Sequence, residues 1–363
     1  MVSLVTSATM PDPAFWRGKR VLVTGHTGFK GAWLCWLLQR HGAHISALAL
    51  APATQPNLYD ALGLSRYLHS CYADIRDAET VRDYLHQQQP EIVLHLAAQA
   101  LVRPAYADPV ATYASNIMGT VHLLEAMRDL ASLKVALMVT TDKVYRNLEQ
   151  SQAYPETAEL GGHDPYSASK AASELVIASY RQAFLAGQGV QVVVARAGNV
   201  IGGGDWASDR LIPDLVRAWQ QQQAVMIRRP DAVRPWQHVL EPLHGYLLLA
   251  QHAWHSTALS QAYNLGPDSA ASVRDVLELA LAAYGQGAVE FASQLEGPHE
   301  AGLLALDASK IRQQIGFKPR WDLPTTVTRT MQWYRDFAAG VSAAELCDRD
   351  LQHYSQSSFA ETV

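Results

Sequence analysis

The stretch "VLVTGHTGFKGAWL" (Val21 to Leu34) decides how the rest of the chain is read. A short β-rich apolar run, Val21–Thr24, leads into Gly25, Gly28 and Gly31, and a helix-length segment follows. Glycine has no Cβ, so a loop with this spacing lets a ligand come close to the backbone. Free N–H groups at the start of the next helix then offer donors to an anion such as a dinucleotide pyrophosphate. A three-glycine loop alone is weak evidence. Placed between a strand and a helix near the N-terminus it has the required context.

Outward from this loop the chain alternates strand-like and helix-like segments. "KRVLVTG", "AHISALAL", "EIVLHLAA", "KVALMVT" and "VQVVVARAG" read as buried strands. "GAWLCWLLQRHG", "DAETVRDYLHQQQ", "NIMGTVHLLEAMRDL" and "DPYSASKAASELVIASYRQAFLAG" read as helices, the second opened by an Asp cap. Apolar runs alternating with helices imply an α/β, Rossmann-type, doubly wound parallel sheet covered on both faces. After Asn199 the pattern loosens, with Gly and Pro in "GNVIGGGDW" and "IRRPDAVRPWQ". We expect a dinucleotide-binding domain over 16–198 plus about 235–262. A smaller, partly interleaved lobe should hold 199–234 and 263–340. Residues 341–363 should form a tail, its polar "CDRDLQHYSQSSFAETV" a mobile stretch.

Composition removes several classes of function. The chain has 363 residues, 48% hydrophobic and 17% charged, with net charge −5. That suits a globular protein and offers no basic field for nucleic acid. Cys35, Cys71 and Cys347 are odd in number, widely spaced and without a C-x-x-C pair, which argues against a disulfide framework and a zinc site. No stretch reads as a signal peptide or a membrane span, so the expected compartment is the reducing cytosol.

Two further positions bear on the cofactor. The second strand ends "SALALAPATQ", with no acid for a ribose 2′-hydroxyl and no Arg for a 2′-phosphate. NAD and NADP are therefore not separated there. Asp74, in "YADIRD", is equally well read as a partner of an adenine amine or as a turn residue before a helix.

"PYSASKAASE" places Tyr166 and Lys170 four apart, on one helix face. Among the 15 tyrosines only Tyr166 has Lys at that spacing. A nearby ammonium, plus a positive nicotinamide ring, would lower the phenol pKa from about 10 and let a phenolate take a hydroxyl proton while hydride leaves the same carbon.

With "TGHTGFKG", "HLAAQ" (His95 to Gln99), Asn116, Thr141 and "YSASK", the chain resembles the extended short-chain dehydrogenase/reductase family over about residues 16 to 340. "LDASKIRQQIGFKPRWDL" (Leu306 to Leu323) matches the end of such enzymes. The resemblance implies a catalytic core of Thr141, Tyr166 and Lys170 and a nucleotide-sugar bound by the second lobe. It implies NAD, with NADP not excluded, held by Gly25, Thr27, Gly28, Phe29, Lys30, Gly31, Asp74, Ile75, Leu96, Ala97, Ala98, Gln99, Asn116, Thr140, Tyr166, Lys170 and Ala197. For the substrate it implies Arg103, Asn199, Arg210 and Arg234, with His299 at the pocket edge. Arg forks match the geometry of phosphate oxygens. A homodimer or homotetramer is implied too, with no membrane and no nucleic-acid partner.

The pair Asp142–Lys143 follows the family's Thr. In the 4-epimerases of the family this place carries small or neutral residues, and in its sugar-nucleotide 4,6-dehydratases an acid pair. Asp followed by Lys resembles a variant of the dehydratases. Protonated Asp142 would then be the acid at C6 and Lys143 the base at C5, made neutral by desolvation and nearby cations. Neighbours in an extended chain point apart, so no salt bridge between the two is expected. A 4-epimerase or decarboxylase of the family would not need this pair. A silent NAD(P)-binding sensor would not need Thr141, Tyr166 and Lys170.

Overall fold

The apolar runs pair into one seven-stranded parallel sheet. The computed structural model describes residues 10–149, 152–256, 259, 261–292 and 302–357. In chain order the strands are β1 (Arg20–Thr24), β2 (His44–Ala49), β3 (His69–Tyr72), β4 (Ile92–His95), β5 (Val135–Thr141), β6 (Gln191–Ala197), β7 (Asn199–Ile201), β8 (Ala224–Ile227), β9 (Val233–Arg234), β10 (Trp236–His238), β11 (Ala262–Leu265), β12 (Ala271–Ser272) and β13 (Ala288–Phe291). The large sheet runs β11-β6-β5-β4-β1-β2-β3. Strand order reverses between β1 and β4, whose register pairs Val21 with Ile92 and Thr24 with His95. In an open α/β sheet ligands bind outside the carboxyl ends of the strands at such a reversal. The glycine loop leaves β1 there and "HLAAQ" leaves β4.

Burial on both faces explains the strand compositions. Val21, Leu22, Val23, Ile92, Val93 and Leu94 are fully buried, and every residue of β5 is buried. One face carries the helices Ala78–Gln88 and Gly119–Met127. The other carries the helices Phe29–Arg40 and Leu240–His255. Phe29–Arg40 is apolar nearly all round because it lies between the sheet and the C-terminal part of the chain. Trp33 Nε1 donates to the Gly203 carbonyl at 2.8 Å and Trp36 Nε1 to Asp348 at 3.0 Å.

Beyond β6 the chain makes three two-stranded ladders, β10-β7, β12-β9 and β13-β8. β8 packs on the helix Leu211–Gln220, and β7, β8, β9 and β10 give residues to the wall of the cleft described below. β11 then returns to the large sheet beside β6, pairing Ala262 with Val194 and Leu265 with Ala197.

The expected loose tail is not what forms. Ala343–Gln356 is a helix capped by Ser342, with Ala343, Leu346, Cys347 and Tyr354 buried in the main core. Its polar residues mask an apolar stripe at helical spacing. Arg329 pairs with Asp350, and Tyr354 donates to the buried Glu241 at 2.6 Å. Each buried large side chain contributes about 1.5–3 kcal/mol, enough to hold a short terminal helix in place.

Candidate functional site

Above the carboxyl ends of β1, β4, β5 and β6 opens a cleft of about 740 Å³. The glycine loop forms its floor. Gly25 is in the left-handed region (φ +80°), and a Cβ there would sit 2.8 Å from the Ala97 nitrogen. A Cβ on Gly31 would sit 2.1 Å from the Gly25 carbonyl oxygen, whereas one on Gly28 would meet only that oxygen, at 3.5 Å. Gly25 and Gly31 thus let loop, helix and β4 close on one another, while Gly28 leaves an open backbone at the helix start. That is the cradle a dinucleotide pyrophosphate needs, and the residues present fit it.

At the end of β2 the wall is Leu50, Ala51 and Ala53, with the Thr27 hydroxyl donating to the Leu50 carbonyl at 2.8 Å. Asp74 reaches the cleft, but its carboxylate is held by Arg76, which pulls its pKa down and ties it into a local turn.

Lys30 was expected to touch cofactor. It lines the cleft and points inward, its ammonium 3.2 Å from the Tyr246 hydroxyl. Burial, then the charges of Arg210 and Lys170, pull its pKa down to about 7, against the opposing pull of Asp142. Lys30, Lys143, Lys170 and Arg210 thus line one cleft, with Asp205 against Arg210 and Asp142 behind Lys143, and the cluster of cations offers partners to a polyanion.

The helix Pro165–Tyr180 supplies the Tyr–Lys pair. Asp164 caps it, accepting from the Ser167 nitrogen at 3.0 Å, and Pro165 opens its first turn. Tyr166 and Lys170 are both buried and both line the cleft. Lys170 by itself does not acidify Tyr166: burial pushes its pKa up to about 12, with the Thr141 hydroxyl beside it and Arg210 working the other way. The Lys170 ammonium donates instead to the Val139 carbonyl at 3.1 Å, and burial draws its own pKa down to about 8.

The Asp142–Lys143 pair also departs from expectation. Asp142–Val144 is a single 3₁₀ turn capped by Thr141, not extended chain. The turn brings the neighbours together, and Lys143 Nζ lies 3.0 Å from Asp142 Oδ1 and 3.2 Å from Asn199 Oδ1. Thr141 donates to the same Asp142 oxygen at 2.8 Å. Lys143 and Thr141 line the cleft, while Asp142 is fully buried one layer behind them with Oδ2 unpartnered.

Most other expected residues also reach the cleft: Thr27, Phe29, Ile75, Leu96, Ala97, Ala98, Gln99, Thr140, Ala197, Arg103, Asn199, Arg210 and Arg234. Asn116 does not. It is buried behind Gln99, accepting from the Gln99 nitrogen at 2.8 Å and donating to Ser169 at 2.8 Å, and so it braces "HLAAQ" against the catalytic helix. His299 lies outside the described residues. Sequence reasoning missed the acids that hold two of the cleft arginines, Asp205 on Arg210 (2.7 Å) and Asp209 on Arg103 (3.3 Å). It also missed the β8 wall, Val225 to Arg229. The proximity of "GGGDWASDR" to Arg210 was a usable signal for the acids. β8 carried none.

Comparisons with known proteins agree with this geometry. The family model described as GDP-mannose 4,6 dehydratase matches residues 22–330. CDP-glucose 4,6-dehydratase of Salmonella typhimurium is 43% identical over 353 residues, covering 95% of this chain and 98% of its own. dTDP-glucose 4,6-dehydratase of Streptomyces griseus is 30% identical, covering 86% and 93%. Among solved structures, a double mutant of DesIV, the dTDP-glucose 4,6-dehydratase of Streptomyces venezuelae, solved with NAD and DAU bound, superposes with TM-score 0.76 at 24% identity over 88% of this chain and 98% of that one. UDP-glucose 4-epimerase of Thermotoga maritima, solved with UDP-glucose, gives 0.76 at 20% identity over 88% and 99%, a likeness of fold. With its parallel sheet, glycine cradle and Tyr–Lys helix, the chain belongs to the GDP-mannose 4,6 dehydratase family of extended short-chain dehydrogenases/reductases.

Proposed function

We propose that this protein is an NAD-dependent CDP-glucose 4,6-dehydratase, a hydro-lyase that makes CDP-4-keto-6-deoxyglucose. The observation that carries the reading is the Thr141–Asp142–Lys143 turn in the wall of the same cleft as Tyr166 and Lys170. Oxidation at C4 needs only the Thr, Tyr and Lys. The elimination that follows needs an acid and a base more, and the turn provides one of each. The name of the 43% identical relative supports CDP-glucose over other nucleotide-glucoses. No spacing in the chain selects cytosine.

Gly25, Gly28 and Gly31 would hold NAD, which when bound would supply a hydride acceptor for oxidation at C4 and the hydride for reduction at C6. The protein's own groups move the protons. Tyr166 takes the C4 hydroxyl proton, and Thr141 shares the hydrogen bond to that oxygen. Burial holds the Tyr166 phenol at about 12, so the phenolate form would need the positive nicotinamide ring in addition to the Lys170 ammonium one helical turn on. A C4 ketone acidifies the C5 proton, which Lys143 removes and gives back to C5 when hydride reaches C6. Asp142, protonated, delivers a proton to the departing C6 oxygen, for which its unpartnered Oδ2 must turn toward the cleft. Arg210 and Arg234, with Arg103 at the rim, meet the diphosphate, and Asn199 steadies Lys143.

The assembly we propose is a homodimer or homotetramer. Val110 (76% exposed) and Leu175 (66%) stand out as bare apolar side chains on packed neighbouring segments, Pro109–Tyr113 and the catalytic helix. Among the described residues no helix is long and apolar enough to cross a membrane. A cytoplasmic enzyme supplying deoxysugars for lipopolysaccharide fits this reading, and its three free thiols suit a reducing compartment.

The decisive experiment supplies CDP-glucose carrying deuterium at C4. The label should reappear in the new C6 methyl group of a 4-keto product. Label lost to water, or an epimerised sugar without a methyl group, refutes the reading.

A further inference from the structure

The catalytic helix carries a third polar residue on the stripe of Tyr166 and Lys170. Glu174 follows Lys170 by four positions, and its side chain is only 4% exposed. These three helix residues meet three consecutive residues of β5. Lys170 donates to the Val139 carbonyl, Glu174 Oε1 accepts from the Thr140 hydroxyl at 2.7 Å, and Tyr166 faces Thr141. Glu174 also binds Arg196 of β6 through a fork, with Arg196 Nε donating at 2.8 and 3.1 Å and a further contact from Nη2. Thr140 and Arg196 are register partners across β5 and β6. One carboxylate thus pins the helix to two neighbouring strands at the height of the site.

The network continues to the dehydratase turn. Arg196 Nη1 donates to the Tyr145 hydroxyl at 2.8 Å, and its guanidinium lies 4.9 Å from the Tyr145 ring centroid. Tyr145 directly follows Asp142–Val144 and donates to Asn264 at 2.6 Å. Every Glu174 oxygen has partners. A buried ion pair of this kind adds little net stability, because desolvation offsets the attraction, so its contribution is to position what it touches.

The charges around Lys170 give the pair a second consequence. Tyr166 stands one turn away on the same helix, His95 faces Lys170 from β4, and Lys30 faces it from the glycine-loop helix. Of the groups facing it, Glu174 brings the negative charge, and it opposes the burial that would strip the ammonium of its proton.

We propose that Glu174 is the positioning residue of this site: its carboxylate ties the catalytic helix to Thr140 and Arg196 and supplies the counter-charge that keeps Lys170 an ammonium. This rests on the dehydratase reading only where turnover is measured.

The test follows the Lys170 side chain directly, by NMR titration of protein labelled with ¹³C at the lysine ε-carbon, with Lys170→Met used for assignment. The parent midpoint should lie near 8. Glu174→Gln should lower it by about one unit or more, as loss of a close opposite charge does. Arg196→Lys keeps a cation beside Glu174 but breaks the fork, so it should cost stability and leave the midpoint in place. If Glu174→Gln does not fold, the double variant Glu174→Leu/Arg196→Met removes the buried pair as a whole and should show the same fall. In turnover, the alkaline limb should move to lower pH in the charge-removing variants, costing about tenfold in rate one unit above the shifted limb. Midpoints equal to the parent's in both Glu174 variants overturn the proposal. A parent that does not turn over CDP-glucose overturns the dehydratase reading instead and leaves the titration result standing.

Discussion

Three glycines of the phosphate loop look alike in sequence, yet the structure sets two of them apart. In Gly31→Ala the new Cβ would stand 2.1 Å from the Gly25 carbonyl oxygen, where ordinary contact begins at 3.4 Å, and within 2.8 Å of the His26 Cα. All of these are backbone atoms, and Gly25 cannot retreat. Its nitrogen donates to the Leu48 carbonyl at 2.8 Å, and the Ala97 backbone leaves no room for a Cβ on its other side. The helix must therefore lift off the loop, at a cost of about 1–3 kcal/mol for overpacking. In Gly28→Ala the only new contact is at 3.5 Å, so the cost is the cap preference, about 1 kcal/mol or less. Denaturant unfolding measures the first effect, and quenching of tryptophan fluorescence by NAD measures the second. Gly31→Ala should lose about 1–3 kcal/mol of stability, and if the lifted helix start costs NAD a similar amount its affinity should fall by about fivefold or more, since 1.4 kcal/mol is a factor of ten. Gly28→Ala should unfold at nearly the parental midpoint. A Gly31→Ala protein with parental stability and parental NAD binding would refute the close-approach argument.

Other outcomes follow from the same structure. Lys143→Ala should oxidise C4 but stall before water is lost, so reduced cofactor accumulates in absorbance while keto-deoxysugar falls by about 10²-fold or more; dehydration at the parental rate would remove Lys143 as the C5 base. Asp142→Asn should slow product formation more than C4 oxidation, read by comparing single-turnover cofactor reduction with product mass. Leu175→Glu should shift the protein toward monomer in sedimentation if the catalytic helix forms the contact between copies, and an unchanged assembly would place that contact elsewhere. Glu241 is fully buried, and burial raises its pKa from 4.5 to about 7, against three opposing hydrogen bonds. Between those values the folded state holds the extra proton, so stability falls as pH rises through this window, by up to about 3 kcal/mol. Glu241→Gln should therefore match the parent near pH 4.5 and exceed it at pH 8 in denaturant unfolding.

Local pattern was enough for the sheet, the glycine cradle and the Tyr166–Lys170 spacing, because each depends on contacts within a few residues. Strand burial writes a continuous apolar run, a phosphate loop needs glycine at fixed offsets, and an i, i+4 pair shares a helix face wherever the helix lies. What local pattern misread depended on distant parts of the chain. The C-terminal helix reads as polar until its stripe is set against Glu241 and Trp321, and the β8 wall exists only because β13, some sixty residues on, pairs with it. The same holds for the site's electrostatics. Whether a tyrosine beside a lysine is acidic depends on where the ammonium points and on how much water both have lost. Here the Lys170 ammonium turns to the Val139 carbonyl, and the phenol is sealed by its surroundings. Charge and burial act through space, so the sequence could name the groups while only the tertiary structure could set their protons.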